Sequence, residues 1–380
     1  MKSILITGAS GALGSALVPL LAADHQSRVV LLMRAQSPAH LAQRQEQLFH
    51  FLRDIGLDAE SEQRIEVLQG DISEPELGLA PEHVKRLDRQ ITHIVHAAGN
   101  VKLNQPLDQA RKTAVASAQY IVDLTKRCVQ AGQFQKLEFV STVGVAGRRT
   151  GLIREERFSE RREASDFHNT YEASKWQAEQ ILWEEIDGGL PATIHRPSMI
   201  VGDSQHGRII HFQVFYHLME FINGRRTFGI VPDTEEAVLD IIPVDYVAQA
   251  ICLASLNCLG TGEVWHLCSG PQRTLPLAQL SLRIREMLSA RGETSPSLQH
   301  LSRADFRNKL KQLTNSASDS QKRFLAGLPY LLDYLDSVQI FDNSITNATL
   351  SAHNLKIPAV ESYLETVMTK FWDRSKNAKV

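Results

Sequence analysis

Cysteine is scarce in this sequence: Cys128, Cys252, Cys258 and Cys268 are the four in 380 residues. None is paired at a metal-ligand spacing, and four in a chain this long do not make a disulfide scaffold. The reading is a reducing, cytoplasmic setting. Charge of one sign is also lacking. Lys and Arg total 41 against 43 Asp and Glu, a formal net charge of −2. This argues against nucleic acid or an anionic membrane as the main partner. No apolar run approaches the ~20 residues that a transmembrane helix needs, although contact with a membrane surface through apolar side chains stays open. His206, His211 and His217 lack a carboxylate or cysteine partner at ligand spacing, so no metal is assigned. There are no internal repeats. What is present is length and 43% hydrophobic content, enough for one large core and a smaller second lobe.

Met1 to Ala23 has the lysine, the apolar stretch and the small residues of a secretory signal. Gly8, Gly11 and Gly14 interrupt it at a regular spacing for which a signal core has no use, so the segment reads as part of the fold. Ser3–Thr7, Arg28–Met33, Ile65–Leu68, Thr92–His96, Leu137–Ser141 and Ala192–Arg196 read as strands. They are short, branched-aliphatic and nearly continuous in apolar character, as strands buried on both faces are. Helical patterns lie between them at Ala12–Ala23, Ala39–Ile55, Gln105–Ala131 and Thr170–Glu185. Glu263–Leu267 reads as a later strand returning to the same sheet. Repeated strand–helix–strand order predicts an α/β, Rossmann-type, doubly wound parallel sheet of about seven strands. The expected division is a dinucleotide-binding domain of residues 1–202 plus 236–270. A smaller, mostly helical substrate lobe of residues 203–235 plus 271–380 has little strand signal. Residues 314–320 read as an exposed loop, Arg374–Val380 as a frayed tail, and Phe341-Asp342-Asn343, after Gln339-Ile340, as a strand docking on the sheet.

Thr7-Gly8-Ala9-Ser10-Gly11-Ala12-Leu13-Gly14 follows the first strand and opens a helix. Glycines there permit a tight turn and let backbone amides approach a pyrophosphate, and the helix N-terminus adds free N–H groups and dipole. The spacing is Gly-x-x-Gly-x-x-Gly, weak alone but placed in the required context. The end of the second strand carries Arg34 where an acidic residue would bind the ribose 2′-hydroxyl of NAD. Arginine suits a 2′-phosphate, so the cofactor read here is NADP(H). Arg44 is a candidate for the same pocket. Asp71, followed by Ile72 after the third strand, can accept from the adenine amino group or cap a turn. Ala97-Ala98-Gly99 ends the fourth strand with side chains small enough for the cofactor to lie against the sheet edge.

Tyr171 and Lys175 are four apart and share one helix face. A free phenol has a pKa near 10 and is a poor proton shuttle at neutral pH. The expectation is that the Lys175 ammonium lowers it and also holds the nicotinamide ribose. Ser141-Thr142 ends an intervening strand with hydroxyls able to hydrogen-bond a developing oxyanion.

These motifs, together with His96-Ala97-Ala98-Gly99 and Arg196-Pro197-Ser198, resemble the extended short-chain dehydrogenases/reductases over roughly residues 3–270. The resemblance implies that Thr142, Tyr171 and Lys175 form the catalytic trio, with Ser141 beside them. It also implies that Pro197, followed by Ser198, borders the nicotinamide. One departure stands out. Many relatives carry an asparagine on the helix after the fourth strand, whereas the matching stretch here is Ala114-Val115-Ala116-Ser117-Ala118. A proton relay through that asparagine lacks its residue, and water or another group has to serve.

Asn169-Thr170-Tyr171, Ala178-Glu179, His195-Arg196-Pro197-Ser198-Met199-Ile200-Val201-Gly202-Asp203 and Ile242-Pro243-Val244-Asp245-Tyr246-Val247-Ala248 resemble the branch of thioester reductase domains and fatty acyl-CoA reductases. That branch implies an NADPH-dependent reductase of an acyl-CoA or carrier-protein thioester, and with no carrier or adenylation domain in the sequence a stand-alone one is expected. The product is an aldehyde, with a further step to alcohol left open. Phe212, Val214, Phe215, Tyr216, Leu218, Met219, Phe221 and Ile222 form a segment that is either core or an acyl-binding wall. Arg148 to Arg162 holds six arginines, read as a solvated face or as a docking site for coenzyme A phosphates or an acidic carrier. The competing readings are a sugar-nucleotide epimerase or dehydratase, a ketoreductase, and a non-catalytic NADP-sensing regulator.

Overall fold

The computed structural model describes residues 1–103, 105–234, 237–316, 332 and 338–377. Its centre is a seven-stranded sheet of β1 (Lys2–Thr7), β2 (Ser27–Met33), β3 (Ile65–Gln69), β4 (His93–His96), β5 (Lys136–Val140), β6 (Ala192–Pro197) and β7 (Val264–Leu267). The strands lie in the order β7-β6-β5-β4-β1-β2-β3 and every pairing is parallel. All seven strands expected from the apolar runs are present, with ends shifted by a residue or so. The order reverses between β1 and β4. At that switch point, outside the carboxyl ends of the strands, the fold leaves a crevice.

Period-two alternation explains the layers. Ile4 and Ile6 of β1 face the helices Ala12–Ala22 and Val244–Asn257, packing on Leu17, Leu21, Val247 and Ile251. Leu5 faces the other way, into a cluster with Ile121 and Val122 of the Leu107–Gln130 helix and Leu182 of the Thr170–Asp187 helix. A separate apolar core joins the Val214–Ile222, Leu277–Ala290 and Val360–Asn377 helices, through Phe215, Phe221, Leu280, Ile284, Tyr363 and Phe371.

Several readings need correction. The regions expected to show little strand contain short ones: Ile230–Pro232 pairs with Gln299–Leu301, and Leu275–Pro276 pairs with Val238–Leu239 of the neighbouring stretch. Pieces of two or three residues are too short to show a period. Of the loop expected at 314–320, residues 314–316 complete the Arg303–Ser316 helix and residues 317–320 lie outside the described residues. Arg374–Asn377, expected to fray, continue the last helix. Arg374 is anchored there by donating to the Ile209 carbonyl at 3.2 Å and by lying over the Phe212 ring at 5.4 Å. Residues 378–380 lie outside the described residues. The expected docking strand is Gln339–Phe341, and it pairs with Gly151–Ile153 rather than with the main sheet. The residues after it reach β7 through hydrogen bonds: His266 Nδ1 lies 2.8 Å from the Asp342 carbonyl, and Asn343 Nδ2 donates to the Cys268 carbonyl at 2.8 Å.

Candidate active site

The glycine turn is built for close approach. Gly8 has φ +79°, and a Cβ there would lie 2.6 Å from the Ala98 nitrogen. A Cβ on Gly14 would lie 2.1 Å from the Gly8 carbonyl oxygen. The turn therefore abuts β4 and the helix packs on the turn only because both residues lack side chains. Gly11 caps the helix, donates to the Gly8 carbonyl at 2.8 Å, and lines a cavity together with Ala12 and Leu13. The first N–H groups of a helix have no intrahelical acceptor, so this wall offers donors to an anion. The small side chains of Ala97 and Ala98, and Gly99, continue the same wall. A dinucleotide fits this cradle: glycine-lined amides at one end and a sheet edge without bulk at the other.

At the ends of β2 and β3, Arg44 donates to Ser10 Oγ at 3.1 Å and to the Arg34 carbonyl. Arg34 Nη1 is 3.8 Å from Asp71 Oδ2, with the Arg34 side chain 76% exposed. Asp71 Oδ1 accepts from the Ser73 amide and hydroxyl at 2.9 and 2.7 Å, which is the turn-capping use of that residue. Ile72 packs at the edge of the sheet core. The Thr7 hydroxyl is not in the cavity wall. It lies 2.8 Å from His96 Nδ1 inside the protein, and burial pushes His96 down to about 3, so that ring is neutral.

Thr142 and Tyr171 meet. The Thr142 hydroxyl accepts from the Gly144 amide at 3.1 Å and hydrogen-bonds the Tyr171 phenol. Ser141 Oγ is buried with no hydrogen-bond partner among the described residues. Lys175 Nζ donates to the Val140 carbonyl at 2.8 Å and lies 5.3 Å from the Phe139 ring centroid. Burial pushes Lys175 down to about 8, with Glu179 opposing. Burial pushes Tyr171 up to about 12, with the Thr142 hydroxyl pulling it back. The expected acidification of Tyr171 by the lysine is thus not what the protein alone provides. The ammonium is spent on a carbonyl, and desolvation of the phenolate dominates. The phenol is held protonated, which is the state a proton donor needs.

One cavity of about 580 Å³ brings these groups together: the glycine turn, Ala97–Gly99, Ser141, Thr142, Tyr171, Lys175, Pro197 and Ser198. Its lining also includes the apolar Val101, Leu103, Met199, Phe212, Val214 and Leu239. The Val214–Ile222 segment is divided between core and cavity lining. Six of its residues are core, while Val214 and His217 face the cavity. The arginine-rich stretch is largely consumed by the protein itself. Arg149 pairs with Glu160, Arg157 with Asp187 at 2.6 Å, and Arg162 donates to the Val145 and Ala146 carbonyls. Sequence reasoning missed Gln339 and Phe341, which line the cavity from far along the chain. It also missed Glu172, hidden beside the tyrosine it follows. Among the described residues there is no cluster of three or more His, Cys, Asp or Glu able to hold a metal, and no helix is long and apolar enough to cross a membrane.

The model of the NAD-binding family described as male sterility protein matches residues 6–251. The chain belongs to this family. Its matched family and its motifs are those of the extended short-chain dehydrogenases/reductases. It is similar to the glycine betaine reductase ATRR of Emericella nidulans, 30% identical over 256 residues, covering 66% of this chain and 19% of that protein. It is also similar to the putative fatty acyl-CoA reductase CG8303 of Drosophila melanogaster, 25% identical over 322 residues, covering 75% of this chain and 58% of that protein. The chain thus spans less than two thirds of either relative. Among solved structures, the terminal R domain from the myxalamid PKS-NRPS biosynthetic pathway superposes with a TM-score of 0.81 at 27% identity. The match covers 99% of this chain and 91% of that one.

Proposed function

We propose that this chain reduces an acyl thioester, carried on coenzyme A or on a carrier protein, to an aldehyde at the expense of NADPH. The observation that carries the reading is the shared cavity, whose lining joins Tyr171, Thr142 and Lys175 to apolar side chains of the kind an acyl group packs on. In this reading residues 1–202 with 236–270 bind the dinucleotide, and residues 203–235 with 271–380 shape the acyl site. The chain works in the cytoplasm. The turn from Gly8 to Gly14 receives the pyrophosphate. Arg34, Arg44 and Ser10 hold the 2′-phosphate, a bidentate partner that arginine suits better than a neutral hydroxyl does. Asp71 and Ile72 border the adenine, and Ala97–Gly99, Pro197 and Ser198 border the nicotinamide. When bound, the reduced nicotinamide supplies hydride.

The protein's own groups do the rest. Thr142, with Ser141, hydrogen-bonds the carbonyl oxygen as negative charge grows there. Tyr171 gives that oxygen its proton. Lys175 orients the ribose and stabilises the phenolate left behind. The hemithioacetal then releases thiol and aldehyde, and the same groups can serve a second reduction to alcohol. The test is NADPH oxidation with a panel of acyl-CoA thioesters, acyl-carrier thioesters and matched free aldehydes. Turnover of thioesters with NADPH and poor turnover with NADH is the expected result, and aldehyde turnover reports the second step. A protein that binds NADP(H) yet oxidises none with any of them is instead a sugar-nucleotide enzyme, a ketoreductase or a sensor.

A further inference from the structure

The carboxamide of Gln339 is tied down at one end. Nε2 donates to the Gly147 carbonyl at 2.6 Å and to the Arg149 carbonyl at 2.7 Å. Two carbonyls can be met only by the nitrogen, so they fix which way the amide faces. Oε1 accepts from none of the described residues, yet it is not sealed inside the protein. Gln339 is 8% exposed and lines the main cavity. So does Phe341, two residues on and therefore on the same face of the strand. The oxygen is thus the end of the carboxamide left to the cavity.

The tie joins that oxygen to the catalytic turn. Gly147 closes the short Val143–Ala146 turn that Thr142 opens as its N-cap, and Thr142, Val143 and Gly144 line the same cavity. The carboxylates in the lining are already committed. Asp240 accepts from the Ser269 amide at 2.9 Å, the Gly270 amide at 3.2 Å and the Thr274 hydroxyl at 2.8 Å. The Glu172 side chain is 1% exposed. A ligand that fills the cavity drives water off Gln339 Oε1, and an acceptor buried without a donor costs more than the hydrogen bond it could have made is worth. An alkyl chain packed on Leu103, Phe212 and Val214 brings no donor. The ligand that fits carries a polar N–H or O–H besides its reacting carbonyl.

Resting on the reductase reading, we infer that Gln339 is a specificity-determining residue: its Oε1 accepts a hydrogen bond from a neutral N–H or O–H group of the thioester, and the enzyme prefers thioesters that carry one. Two parts of such a substrate supply the donor. The amide N–H of a cysteamine arm lies on the thiol side, in coenzyme A and carrier thioesters alike. The hydroxyl of a β-hydroxyacyl group lies on the acyl side.

Matched thioesters test this. The acyl chain that the panel favours is presented on N-acetylcysteamine and on mercaptoethyl acetate, which differ only in an N–H replaced by oxygen. The same chain and its β-hydroxy form are then compared, both on mercaptoethyl acetate. kcat/KM with NADPH is read for wild type and two variants. Gln339→Lys keeps donors for both carbonyls and removes the acceptor, whereas Gln339→Met removes donors and acceptor together. In wild type one of the two donors should raise kcat/KM by about tenfold, the worth of a neutral hydrogen bond in a site that otherwise strands its acceptor. That advantage should vanish in both variants. A gain from the N–H assigns the oxygen to the thiol arm, and a gain from the hydroxyl assigns it to the acyl chain. Equal kcat/KM within both pairs in wild type overturns the inference. So does an advantage that survives in Gln339→Lys or Gln339→Met while all substrates slow together, which is what a purely structural tie predicts. A wild-type protein that reduces none of these thioesters fails the reductase reading itself, which is a separate result.

Discussion

Tyr171 and Lys175 are pushed in opposite directions by the same burial, and that difference sets how the site responds to pH. The phenol, raised to about 12, stays protonated through the working range. The ammonium, lowered to about 8, is fully present well below that value and is lost as pH rises through it. We therefore expect kcat/KM to fall above about pH 8 with no matching loss from the tyrosine, measurable as an alkaline limb in the pH profile. Tyr171→Phe removes the proton donor but keeps the ring, and should lower kcat by about 10²–10⁴-fold while NADPH binding, followed by fluorescence titration, survives. The catalytic pair was legible in the sequence because helical spacing alone puts residues four apart on one face. The sign of the tyrosine shift was not legible. It depends on how much water the surrounding elements exclude and on the Val140 carbonyl that occupies the lysine.

Among the elements, the glycine turn and the Ser344–Ala352 helix show how backbone demands select residues. Gly8→Ala would force a Cβ within 2.6 Å of the Ala98 nitrogen at a positive φ. It should weaken NADPH binding, measured by calorimetry, well before it abolishes folding. The N-terminus of the Ser344–Ala352 helix is held by a residue far away in sequence. Glu155 accepts from the Ile345 amide at 2.7 Å, the Thr346 amide at 3.2 Å and the Thr346 hydroxyl, and from the His266 amide of β7 at 2.9 Å. A carboxylate suits four donors and a helix N-terminus, even though burial raises its pKa. Glu155→Gln turns an N–H group toward those donors and should cost about 1–3 kcal/mol in a urea unfolding titration. The long strands and helices were legible because each repeats its apolar pattern over several residues. Gln339–Phe341 was legible only as a short apolar piece. Its partner, Gly151–Ile153, carries no pattern of its own.

Across the whole molecule, one buried ion pair ties β6 to the catalytic helix. Arg196 makes a two-pronged contact with Glu179 at 3.0 and 2.7 Å, donates to the Glu156 carbonyl at 2.9 Å and lies over Phe158 at 4.4 Å. Both side chains are shut off from solvent. Glu179→Ala leaves a buried guanidinium without its counter-charge and should cost about 3–5 kcal/mol. A double change to packed apolar residues should cost much less. Denaturant unfolding of the single and double variants separates the two.

The sequence by itself determined the sheet, the glycine cradle and the tyrosine–lysine helix. Each of these is encoded by residues within one or two turns of one another, where periodicity and steric demand act locally. Only the tertiary structure decided the cavity's apolar lining, the docking of residues 339–343 beside it, and the neutral His96 behind Thr7. It also decided that the Glu172 carboxyl beside His168 is shut off from solvent. Those features join segments hundreds of residues apart, or depend on which polar atoms packing leaves without water, and no local pattern carries that information.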